Sequence, residues 1–240
     1  MSPRSTEPLA RPVLAEFLGS MLLAAVVIGS GIAAQRLSPD DVGLQLLENA
    51  AATAAGLYAL ILIFGPVSGA HFNPVVTLAD VLLGGSSWRR FLAYAPAQVA
   101  GCVTGAVVAN VLFSADPVSI STTERATFAH GVSEVVATAG LLLVIFSLVR
   151  TGRADRAPAA VGAYIGAAYF FTSSTSFANP AISVGRIFSD TFAGIAPSSV
   201  PLFVLTQLIG AGVAIGVVSL LYPSTDRQRD QLRADVTTAA

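Results

Sequence analysis

The dipeptide Asn-Pro occurs twice in this chain, as Asn73-Pro74 and Asn179-Pro180, and each time it opens an apolar stretch too short to cross a bilayer. The stretches run from Pro74 to Leu83 and from Pro180 to Asp190. Ten or eleven helical residues reach about 15 Å, roughly half of the 30 Å hydrocarbon layer. Around them lie six apolar runs that do reach across, near residues 12–34, 44–66, 89–112, 130–150, 158–175 and 201–222. A helix that stops halfway leaves irregular backbone at membrane depth, and such backbone persists only where protein or a water-filled cavity surrounds it. The pair of short stretches therefore predicts an all-α membrane protein of six transmembrane helices plus two re-entrant half-helices.

Composition agrees with a lipid-solvated chain. Hydrophobic residues fill 54% of the 240 positions and charged residues 11%, against about a quarter charged in a soluble domain. The formal net charge of -1 gives no basic face for nucleic acid. Cys102 is the one cysteine, which excludes an internal disulfide and a cysteine metal cluster and reads as a buried, inert thiol. His71 and His130 form no metal-ligand pair, and no Gly-x-Ser-x-Gly elbow is present. No catalytic residue, metal or cofactor is expected. Residues 9–34 read as a retained first span, because the apolar stretch is too long for a signal peptide and carries Glu16.

The chain repeats itself. Ala15-Glu16-Phe17-Leu18-Gly19, Asn73-Pro74-Val75 and Gln98-Val99-Ala100-Gly101 are followed in the same order by Ser133-Glu134-Val135-Val136, Asn179-Pro180-Ala181 and Gln207-Leu208-Ile209-Gly210. Each half, about 10–112 and 130–222, holds three spans, so the second enters from the opposite face and the repeats are inverted. Residues 113–129 form the connecting loop, 223–240 a flexible cytoplasmic tail, and the whole of 1–240 one membrane domain. With six spans both termini share a side. That side holds Arg4, Arg11, Arg89, Arg90, Arg150, Arg153, Arg156, Arg227, Arg229 and Arg233, leaving Arg36, Arg125 and Arg186 opposite. The excess places both termini in the cytoplasm.

Asparagine followed by proline suits a helix start: the Asn oxygen caps free N–H groups, and Pro at the first helical position forfeits no hydrogen bond. Capping by the oxygen leaves the Asn NH2 free. Two such helices meeting at their N-termini bring two NH2 donors and two positive dipole ends to one point, which accepts the oxygen of water or an alcohol and repels a cation. A lone Asn-Pro would be an ordinary turn. The matched pair is not.

Here the chain resembles a known family. Ser68-Gly69-Ala70-His71-Phe72-Asn73-Pro74-Val75-Val76-Thr77 is similar to the first signature of aquaporins and aquaglyceroporins, the major intrinsic proteins, and Ala15-Glu16-Phe17-Leu18-Gly19 is similar to their opening. The resemblance covers about residues 10–222. It implies one pore per protomer, a homotetramer, a pore centre at Asn73, Pro74, Val75, Asn179, Pro180 and Ala181, and Glu16 and Glu134 as acceptors for the pore-loop backbone. A proton-carrying role is the rival for the two glutamates. His71 resembles a loop histidine that either lines the pore or braces its loop.

The chain departs from the family three residues after Asn179, where most members carry an arginine and this one carries Ile182. Counting from the two asparagines, Thr53, Ala167 and Ser176 complete the outer selectivity filter, and Arg186 does not stand in for the missing arginine. A ring of small residues is expected to be wider and less polar. In this it resembles aquaglyceroporins associated with bacterial arsenic resistance, which pass trivalent metalloid hydroxides such as arsenite. The expected function is thus a passive channel for water, glycerol-like polyols and such hydroxides in the bacterial inner membrane. An ordinary water or glycerol facilitator is the nearer alternative. An ion-coupled secondary transporter with inverted repeats is the more distant one. Val75 is expected to alter half-helix packing, Phe170 and Phe171 to face lipid or a packing neighbour rather than the lumen, and Glu124 to be either a solvated loop charge or a solute attractor. Replacing Asn73 or Asn179 by Ala removes a cap worth about 1 kcal/mol together with a pore donor. Both folding yield and vesicle flux should drop, and unchanged flux in either variant would refute the assignment.

Overall fold

The computed structural model describes residues 9–223; the tail expected at 223–240 falls almost wholly outside them. Eight α-helices follow in order: α1 Ala10–Leu37, α2 Val42–Ser68, α3 Pro74–Leu82, α4 Trp88–Leu112, α5 Phe128–Arg150, α6 Ala157–Phe171, α7 Pro180–Gly185 and α8 Val200–Leu221. No strand occurs among the described residues. Five of these helices, α1, α2, α4, α5 and α8, are long and apolar enough to span a membrane. The remaining expected span, the fifth in chain order, is shorter than the apolar run suggested. It starts with a single 3-10 turn at Ala154–Arg156 and ends at Phe171 rather than near 175, because the chain leaves the helix at Thr172 in extended geometry to begin its descent. The second half-helix likewise ends at Gly185, and a 3-10 turn, Arg186–Phe188, finishes the stretch expected to run to Asp190.

Most helix starts have a local cause. Asp41, Ser87 and Thr127 each accept a backbone N–H of the first turn, at Leu44, Arg90 and His130, as capping residues do. Helix α1 packs on α4, α5 on α8, and α2 on α6.

The first two contacts depend on small residues. A Cβ on Gly101 of α4 would run into the Phe17 carbonyl and lie 2.9 Å from Ser20 Cβ of α1; one on Gly210 of α8 would lie 2.6 Å from the Val135 carbonyl and 3.0 Å from Thr138 Cβ of α5. Backbones approach this closely in membranes because lipid offers helices no hydrophobic reason to associate, so dispersion at short range must do it.

The two half-helices end on opposite faces. Asn110 Nδ2 of α4 donates to Phe188 O beyond α7 at 2.9 Å, and Arg36 Nη2 at the end of α1 donates to Phe113 O at 2.6 Å. These contacts put Arg36 and the end of α7 together. At the other face Arg150 Nη2, closing α5, donates to Leu83 O beyond α3 at 3.3 Å. Helix α3 buries Val75, Val76 and Ala79 against Ala139, Leu142 and Phe146 of α5 and Ala211 and Ala214 of α8. Cys102 is fully buried where α7 meets α4, as an inert thiol would be. Gly101→Val should force α1 and α4 apart at a cost of about 1–3 kcal/mol. The melting temperature of the detergent-purified protein should fall, and an unaltered value would show the contact to be slack.

Candidate functional site

Each half-helix is reached by a loop that turns down from a longer helix, residues 69–73 after α2 and 172–179 after α6. Ala70 and Phe72 in the first loop, and Ser176 and Ala178 in the second, sit in the left-handed region at φ 52°, 50°, 51° and 48°. For residues with a Cβ this costs on the order of 1 kcal/mol or more apiece. Two buried carboxylates hold the loops there.

Glu16 Oε1 accepts Ser68 Oγ at 2.6 Å and the His71 N–H at 3.0 Å; Oε2 accepts the Phe72 N–H at 2.6 Å and Gln98 Nε2 at 2.7 Å. In the second half Glu134 Oε1 accepts Ser174 Oγ at 2.6 Å and the Phe177 N–H at 2.9 Å, and Oε2 accepts the Ala178 N–H at 2.8 Å and Gln207 Nε2 at 2.6 Å. Gln98 and Gln207 also donate to Thr77 and Ser183 of the half-helices, both at 3.1 Å. A short hydrogen bond from an amide or hydroxyl to a carboxylate is about twice as strong as a neutral one. Each set therefore supplies enough to hold its loop. Gly19 leaves the space that the Phe72 ring fills.

The half-helices start where the loops end. Asn73 Oδ1 accepts the Val75 N–H at 3.0 Å, and Asn179 Oδ1 accepts those of Ala181 and Ile182 at 2.9 and 3.3 Å. The amide NH2 groups are not both left free, as capping alone suggests. Asn73 Nδ2 donates across to Ala178 O at 2.7 Å and Asn179 Nδ2 to Phe72 O at 2.8 Å. One hydrogen of each amide thus locks the two helix tips together, and one remains.

A cavity of about 620 Å3 passes this junction and is bordered by both Asn73 and Asn179. At the α3 end it is bordered by His71, Asp80 and Asp155, and at the α7 end by Thr53, Tyr169, Ser176, Ile182 and Arg186. Between these ends the wall is mainly aliphatic, with Leu57, Val76, Leu141 and Val161 among its residues. Asp80 and Arg186 each follow their asparagine by seven positions, so the same place in the two repeats carries opposite charges.

The predicted site residues separate as follows. Asn73 and Asn179 border the cavity, whereas Val75 and Ala181 are buried and Pro74 and Pro180 half-buried behind it. Thr53, Ser176 and Ile182 stand together at the α7 end, but Ala167 does not: it is exposed on the outside of α6. The helix turns Ile165, Ala168 and Tyr169 inward instead, and Tyr169 hydroxyl lies 3.1 Å from Thr53 Oγ1. The ring is consequently not made of small residues alone. Arg186, set aside on spacing, borders the same end. His71 borders the cavity, with Nδ1 3.1 Å from Thr77 Oγ1 and Nε2 3.7 Å from Asp80. Glu124 is a loop brace, accepting Ser198 and Ser199 hydroxyls at 2.7 and 2.9 Å. Phe170 and Phe171 are exposed on the outer surface. Tyr169 could have been found by helix phase: an aromatic two residues past an alanine falls on a different face.

Residues 4–188 match the Major intrinsic protein family. The chain is 46% identical to the Aquaglyceroporin AqpS of Rhizobium meliloti (strain 1021) over 90% of its own length and 92% of that protein. It is 31% identical to Aquaporin NIP1-4 of Oryza sativa subsp. japonica, over 90% and 78% of the respective lengths. Among solved structures it resembles in fold the aquaglyceroporin from Plasmodium falciparum, with a TM-score of 0.69, 20% identity and coverage of 89% and 97%. The extent of the family match and the near full-length relatives show that this multi-pass membrane chain belongs to the major intrinsic proteins, which are channels and not enzymes.

Proposed function

We propose that the chain passes small uncharged solutes down their gradients across the bacterial inner membrane: water, glycerol-like polyols and trivalent metalloid hydroxides such as arsenite. The observation that carries this reading is the junction of the two half-helices. There, two capped N-termini with their positive dipole ends and one unspent hydrogen on each asparagine amide border a cavity that is otherwise mostly aliphatic. An oxygen acceptor is held at that point, and a cation is disfavoured in a medium that solvates it poorly. Support for glycerol-sized solutes comes from the name of the 46% identical relative, an aquaglyceroporin. Support for the metalloid reading comes from Ile182, which gives the outer ring an aliphatic wall where most of the family would have a guanidinium. Thr53 and Ser176 are small, while Tyr169 and Arg186 are bulky residues bordering the same end.

Ion-coupled transport finds less support. Both intramembrane glutamates have their oxygens taken up by loop donors, which leaves neither carboxylate free to cycle an ion. The excess of arginine at the α3 end favours cytoplasmic termini. A homotetramer, with one pore per protomer, is the assembly the family resemblance implies.

Osmotic shrinkage of proteoliposomes against water, glycerol and arsenite tests the reading. Wild-type vesicles should pass all three without accumulating any against its gradient; absence of arsenite flux would leave the plain water or glycerol facilitator. Ile182→Arg should lower glycerol and arsenite permeability more than water permeability, whereas Ala167→Val, outside the ring, should leave the glycerol-to-water ratio alone. Equal effects of the two substitutions would remove Ile182 from the filter.

A further inference from the structure

The outer end of the cavity holds a guanidinium that the Asn179 spacing does not anticipate. Arg186 follows the last turn of α7 and is 2% exposed, yet it borders the cavity together with Ser176 and Ile182. Its position is fixed from two sides. The Nε group donates to the Ala193 carbonyl, and the guanidinium carbon lies 3.5 Å from the centroid of the Phe177 ring. A stacked, singly tethered guanidinium keeps its plane while the other N–H donors stay available.

Those donors are not consumed by the protein. Among the described residues neither terminal nitrogen of Arg186 donates to a protein acceptor, and no carboxylate forms an ion pair with it. Arg125 stands on the same aromatic ring, 5.5 Å from its centroid, but is a different case: its Nε donates to Gly194 O at 2.9 Å and its Nη2 to Phe192 O at 3.2 Å. Arg125 is a brace for the loop after α7. Arg186 is tethered by Nε alone, and its terminal nitrogens have no protein acceptor among the described residues.

A second, independent feature stands beside it. Ser176 is 4% exposed, borders the cavity, and its hydroxyl has no hydrogen-bond partner. Its counterpart in the first loop is Ala70, which has no polar group to satisfy. A buried hydroxyl left unpaired costs about 1–3 kcal/mol, so a group of this kind at a cavity wall marks a place where a passing molecule supplies the partner. Tyr169, opposite, is already engaged with Thr53 and leaves the polar contact to the other two residues.

From this arrangement we infer that Arg186 and Ser176 form a solute-binding station at the outer mouth, which ranks neutral solutes by the number of hydroxyl oxygens they present. Guanidinium N–H groups take one or two of the solute oxygens, the Ser176 hydroxyl takes another, and Ile182 with Phe177 covers the carbon or metalloid centre. The arginine missing at Ile182 is thereby replaced in function, not in place, and the donor sits farther out, in the 3-10 turn that follows α7. The wall at Ile182 stays aliphatic while an acceptor is still recognised. The inference rests on the neutral-solute reading given above and names the residues that rank solutes within it.

The test compares two solutes of similar size, glycerol and 1,2-propanediol, which differ by one hydroxyl. Permeability of each is measured by stopped-flow swelling of proteoliposomes containing the full-length wild type, Arg186→Leu or Ser176→Ala. A lost hydrogen bond from a charged donor corresponds to roughly tenfold. Arg186→Leu should lower the glycerol-to-propanediol ratio by about that factor, and Ser176→Ala should shift it in the same direction by a few-fold. A change in pore width moves both solutes together and leaves the ratio standing. Should Arg186→Leu fail to fold, the one-atom deletion in Ser176→Ala decides the matter. Wild-type vesicles that pass both solutes, with a ratio unmoved by either substitution, would overturn the station alone. Wild-type vesicles impermeable to both would overturn the channel reading and the station with it.

Discussion

Backbone inside a membrane has to find its hydrogen-bond partners within the protein, and this structure is organised around that requirement at two places. The loops leading to α3 and α7 bring N–H groups to a depth where water cannot serve them. Glu16 and Glu134 serve them instead. A buried carboxylate is costly by itself, yet here each oxygen accepts two donors, which is the condition under which burial of a charge is tolerated. Everything downstream follows from these anchored loops. They set where each asparagine begins its helix, and hence where the helix tips meet.

The two halves share a framework but not a lining. Glutamate, glutamine, serine and asparagine recur at matched positions, and so does the aromatic pair beneath each loop, His71 with Tyr94 and Phe177 with Phe203. Two of the differences face the cavity. His71 is replaced by Phe177, and Asp80 by Arg186. Repetition preserves the parts that satisfy backbone, and at these two pairs the divergence lies on the cavity wall. The two ends of the passage therefore present opposite formal charge to whatever enters.

Much of this was legible in the chain itself, for reasons that are local. Apolar length specifies a span, Asn-Pro specifies a helix start, and a glutamate at the same point of each repeat announces a shared structural task. The limits of legibility are equally physical. Ala167 was placed in the filter by counting back from Asn179, but the intervening loop takes left-handed turns at Thr175, Ser176 and Ala178, and residue spacing across such a loop does not carry helix phase. Tyr169 occupies the inner face instead. Arg186 was dismissed because it lies four residues past Ile182, although four residues along a helix return to the same side. The cross-bonds of the asparagine amides lay beyond any one-dimensional reading, since each joins residues 105 or 107 positions apart.

Those cross-bonds also bear on how the chain is made. When the ribosome has delivered α1 through α4, the Asn73 amide has emerged but its acceptor, the Ala178 carbonyl, 105 positions further along the chain, is still to be synthesised. The first repeat must wait in the bilayer with its re-entrant tip unfinished, and the second cannot complete its own without the Phe72 carbonyl already in place. Neither half reaches its final form alone, so maturation of the passage is a closing event that follows translation of the last helices.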